Sequence, residues 1–152
     1  MDPTEAGFES FLTSVVGIPS IALPATPGYG GFAFNLALDL VNPALQVVCN
    51  ANPAYPTIYA LAVYNLATNN FVLYQPDQVG QTYFADLRAA LNVNVPTLGI
   101  VNSTSDVSTS QGSTLPDFVK GLTLGDLQLI QTPWGRAYLA LAQNYGEIWG
   151  LS

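Results

Sequence analysis

The sequence predicts a mainly α fold: a small helical bundle forming one domain over residues 1–152, with an extended arm or β-hairpin at about 97–116 inserted before the last helices. Three observations predict it. Apolar residues recur at helical spacing through most of the chain. Hydroxyl, amide or acid residues, several followed by Pro, stand where helices would begin. Between Thr97 and Thr114 the side chains turn short, β-branched or hydroxylated, with Gly99 and Gly112 and no helical period. A chain of 152 residues suits one core rather than two, and no internal repeat divides it.

Thr4 or Asp2 is placed to cap a first helix, Glu5 to Val16, with Phe8, Phe11, Leu12 and Val15 inward and acids at its positive end. Gly17-Ile18-Pro19 stops it, and Pro24, Pro27 and the glycines up to Gly31 make the next stretch a loop. A second helix, Gly31 to about Val41, presents Phe32, Leu36 and Leu40 on one face, with Phe34 and Leu38 beside them. Asn42-Pro43 and Asn52-Pro53 both fit helix starts, because Asn accepts from exposed amides and Pro at the first helical position has no amide proton to leave unpaired. The first would open a short helix through Cys49; the second precedes a central helix, Tyr55 to Asn69. That helix is apolar nearly all round, with Ile58, Leu61, Ala62 and Leu66 on one side and Tyr59, Val63 and Ala67 on another, so it belongs inside the bundle or against a neighbouring subunit.

Phe71 to Leu73 extends the central helix or forms a short strand before Pro76-Asp77. Thr82 to Leu91 is amphipathic, with Phe84, Leu87 and Leu91 inward and Asp86 and Arg88 outward. Past the arm, a short helix runs from Leu122 to Ile130, entered at Thr123. In the last helix Thr132 caps, Pro133 takes the first position, and Trp134, Tyr138, Leu141 and Tyr145 follow at intervals of four, three and four before Gly146. This aromatic stripe should pack on the domain's own core; Trp134→Ala should then destabilise by roughly 3–5 kcal/mol if the ring is fully enclosed.

Composition narrows function. Charged residues make up 9% of the chain, far below the roughly 25% usual in soluble domains, which suggests that much of the surface meets protein. The net charge is −7, and Arg88, Lys120 and Arg136 are the basic residues, too few and too scattered to grip phosphates. Cys49 is alone, so no intrachain disulfide framework is possible, and it reads as a small buried hydrophobe. The N-terminus has no basic, apolar signal-peptide pattern, and Ile58 to Leu66 is too short to span a bilayer; synthesis in the cytoplasm and no membrane partner are expected.

With no histidine, a Ser-His-Asp triad, a Cys-His pair and a His metal site are impossible. Ser103, Ser105, Ser108, Ser110 and Ser113 have Lys120 as their one lysine partner, a poor basis for Ser-Lys chemistry. The acids lack the spacing of a calcium loop, no phosphate loop occurs, and Gly28-Tyr29-Gly30-Gly31 lacks the leading strand of a dinucleotide site. No catalytic residue, metal ligand or cofactor is assigned.

Three strings, taken in order, carry a resemblance: Ile58-Tyr59-Ala60-Leu61-Ala62-Val63-Tyr64-Asn65-Leu66-Ala67, then Ser103-Thr104-Ser105-Asp106-Val107-Ser108-Thr109-Ser110-Gln111, then Thr132-Pro133-Trp134-Gly135-Arg136-Ala137-Tyr138-Leu139. Their order and spacing resemble the head-tail connector proteins of tailed bacteriophages, also called adaptor or head-completion proteins. The resemblance covers most of the chain from Phe8 onward and is weakest in the Pro-rich loop and between Val72 and Gln81. It implies a helical virion subunit of the neck, made in the host cytoplasm and assembled as a homo-oligomeric ring, a dodecamer in the family. The ring would sit between the portal protein and a downstream tail or neck protein, with DNA passing through the lumen without specific binding. The implied docking arm runs from Asn102 to Thr114, with Asn102 and the hydroxyl-rich string Ser103 to Gln111 as its contact residues. The implied terminal helix carries Trp134, Arg136, Tyr138, Leu141 and Tyr145 for packing or interface, Arg136 pairing within the subunit or across to the next. Family members often carry histidine near the end of the central helix, where this chain has Thr68-Asn69-Asn70.

The residues alone keep other readings open. One is another tail or baseplate structural protein, which would share the low charge and the arm. Another, from a different class, is a small enzyme or ligand-binding module built on Asp and Tyr side chains around Tyr55 to Tyr64.

Overall fold

The structure, a computed structural model, describes residues 2–24, 28–43, 56–93, 100–104, 111–114 and 124–145. It is mainly helical. Helix α1, Glu5–Phe11, begins where Thr4 Oγ1 accepts from the Gly7 amide at 3.1 Å, and it widens into a π-turn over Leu12–Val16 that Gly17 ends at φ 81°. The wide turn explains a correction. An i→i+5 turn delays the apolar face by a residue, so Val15 is 69% exposed while Val16 packs on the core. A single 3₁₀ turn, Ser20–Ala22, follows.

Helix α2, Tyr29–Leu40, starts ahead of the expected Gly31 and turns a different face inward. Ala33, Phe34, Ala37 and Val41 are buried, whereas Phe32 and Leu40 are 57% and 59% exposed and Leu36 is at the edge of exposure. The small side chains of Ala33 and Ala37, both fully buried, leave room for close approach to the next helix, which larger ones on the Phe32-Leu36-Leu40 face would prevent.

Helix α3, Ile58–Tyr74, is the hub: α2 and the last helix are its principal packing partners. Its start is set by Thr57, whose Oγ1 accepts from the Ala60 amide at 3.0 Å. Phe71 to Leu73 belongs to it, resolving the helix-or-strand alternative, and the helix outlasts the expected end at Asn69. Buried residues lie on every side of it, as its unbroken apolar character requires. The core joins Phe8, Phe34, Tyr64, Phe71 and Phe84, with Phe8 stacked on Phe34 at 5.8 Å between ring centres and Phe71 edge-on to Phe84 at 5.4 Å.

Helix α4, Tyr83–Ala90, is anchored by Asp77, whose carboxylate accepts from the Phe84 and Ala85 amides at 2.6 and 2.9 Å. Arg88 corrects the expectation of an outward charge. It turns back to donate to the Val72 and Gln75 carbonyls at 3.0 and 2.8 Å, with Asp77 at 3.8 Å, and so satisfies the end of α3.

Strands β1, Ile100–Thr104, and β2, Gln111–Thr114, pair antiparallel, with a register shift between Val101 and Ser103 that leaves Asn102 as the extra residue. Each strand packs chiefly on the other, and the helices chiefly on one another. Helix α5, Leu124–Leu129, leads to α6, Pro133–Asn144, where Thr132 caps as expected. Asn42 and Pro43 follow α2, but residues 44–49 of the short helix expected through Cys49, the Asn52-Pro53 start, Tyr55, Lys120 and the expected entry at Leu122-Thr123 lie outside the described residues. No described helix is long and apolar enough to cross a membrane.

Candidate functional site

The exposed face of α2 forms one wall of a groove of about 440 Å³. Phe32, Leu36 and Leu40 supply that wall, Leu66, Asn69, Asn70 and Tyr74 of α3 the floor, and Leu129 of α5 with Tyr138, Leu139 and Ala142 of α6 the far side. The spacing of four along α2 makes its wall a straight apolar ridge.

Placement of α6 keeps the groove open. At its N-terminus the Thr132 hydroxyl donates to Asn69 Oδ1 at 2.7 Å and accepts from the Gly135 amide at 2.9 Å; Thr132 and Asn69 are both buried. Gly135 sits so close to the Leu129 carbonyl that a methyl group there would collide with it. Beyond this latch Ala142 is the fully covered apolar residue of α6. The predicted stripe is therefore only half sunk: Tyr138, Leu141 and Tyr145 pack against the core from partly exposed positions, and Trp134 is half-buried outside it. That corrects the expectation that Trp134 anchors the helix; capping and glycine packing at its N-terminus hold it instead.

Arg136 donates from Nη1 to the Ile130 carbonyl at 2.9 Å from an exposed position. Burial, and then the Asp126 carboxylate, push the Tyr138 hydroxyl above its usual pKa. At the other end of the groove the Gln128 amide donates to the Tyr74 hydroxyl. The site's polar groups are thus amides, phenols and the Asp126 carboxylate, in a mainly aliphatic and aromatic surround. Such a lining excludes water and orients a partner through hydrogen bonds. Among the described residues no group of His, Cys, Asp or Glu could hold a metal ion.

Of the expected arm residues, Asn102, Ser103 and Thr104 lie in β1 and Gln111 begins β2, whereas Ser105, Asp106, Val107, Ser108, Thr109 and Ser110 are outside the described residues. Tyr138 lines the groove; Arg136 and Trp134 do not. Sequence reasoning grouped Phe32, Leu36 and Leu40 on one apolar face but did not assign that face to a groove. The available signal was Ala33 and Ala37, which mark a second, close-packing face on the same helix. Comparison with protein-family profiles, curated protein sequences and solved structures finds no match.

Proposed function

We propose that this chain is a structural subunit of a tailed-phage neck, assembling as a ring that joins the portal to the tail and leaves a passage for DNA. The observation that carries the reading is an open apolar groove, walled by exposed Phe32, Leu36 and Leu40, on a chain in which 9% of residues are charged. Exposed apolar surface of this kind is usually covered by protein. The resemblance of the three strings supplies the kind of assembly. In this reading the stretch from Asn102 to Thr114 is the docking arm, its hydroxyls and backbone groups adding hydrogen bonds to a partner groove or sheet edge. The net charge of −7 suits a conduit that lets DNA slide rather than holding it.

Native mass measurement of the purified chain, alone and mixed with the portal ring encoded by the same genome, tests this reading. Binding to the portal as a multi-subunit ring is the expected result. A strict monomer that ignores portal rings overturns it. Deleting Ser103 to Ser113 should leave the helical body folded, by circular dichroism, while abolishing portal binding; loss of the fold would show that the arm is part of the core instead.

A further inference from the structure

We draw no further inference here: the strongest candidate, the apolar groove between α2, α3, α5 and α6, belongs to the site already described, and nothing in the structure shows what covers it.

Discussion

α3 and α6 lie against each other, yet they are held by different means. α3 is buried on every side: Tyr59, Val63, Tyr64 and Phe71 are nearly or fully covered on one, and Ala62, Thr68, Asn69 and Val72 on the other. α6 is held by fit and hydrogen bonding: Thr132, Gly135 and Ala142 are its buried positions, and its aromatic residues are only partly covered. The difference shows how a small bundle can keep an apolar surface available without losing its fold. Bulky burial is concentrated in the hub, and the peripheral helix is fixed at one end by a polar latch. The groove lies where the two modes of packing meet.

The largest effect that would break this contrast is expected in the hub. Phe71→Ala removes a fully buried ring that meets Phe8 and Phe84 edge-on, and should destabilise by about 3–5 kcal/mol in urea unfolding. A loss below about 1 kcal/mol would mean that the core closes around the gap, so that α3 is not rigidly packed.

The latch should respond less, and locally. Thr132→Val removes the cap on α6 and leaves Asn69 Oδ1 buried without its donor, a loss of about 1–3 kcal/mol. Amide exchange should accelerate along α6 before α3. Adding Asn69→Leu to that variant should recover part of the loss, because the orphaned polar atom goes too. Equal acceleration in both helices would show that the latch serves the whole core and would remove the contrast.

Much of the helical fold was legible in the sequence, and the reasons are local. Thr4, Pro133 with Thr132, and the unbroken apolar run around Leu61 each fix a boundary or a burial by chemistry confined to one turn or one helix. What was not legible depended on partners distant in sequence. Arg88 faces inward because the carbonyls of Val72 and Gln75 need donors, a demand set by another helix end. Phe32, Leu36 and Leu40 face outward because α3 selects the alanine face of α2, and hydropathy ranks those faces the other way. The groove, made from four helices, was therefore invisible, although every residue lining it except Asn70 and Tyr74 lies within a segment whose helical character was readable.

The smallest expected effect gives the sharpest test, because the sequence alone favoured a large one. Trp134 heads a stripe of aromatic residues, and full enclosure would make Trp134→Ala lose roughly 3–5 kcal/mol. In the structure the ring is only half-buried and stands outside the core cluster, while the neighbouring Gly135 makes the close contact. Full burial of a large apolar side chain contributes about 1.5–3 kcal/mol, so an incompletely covered ring outside the core points to a loss of about 1–2 kcal/mol. Urea unfolding of the isolated subunit measures that directly. A loss of about 1–2 kcal/mol would place the weight of α6 on Thr132 and Gly135, as the contrast requires. A loss at the upper figure would mean that α6, like α3, is held by a buried ring, and the two helices would then differ in position rather than in kind.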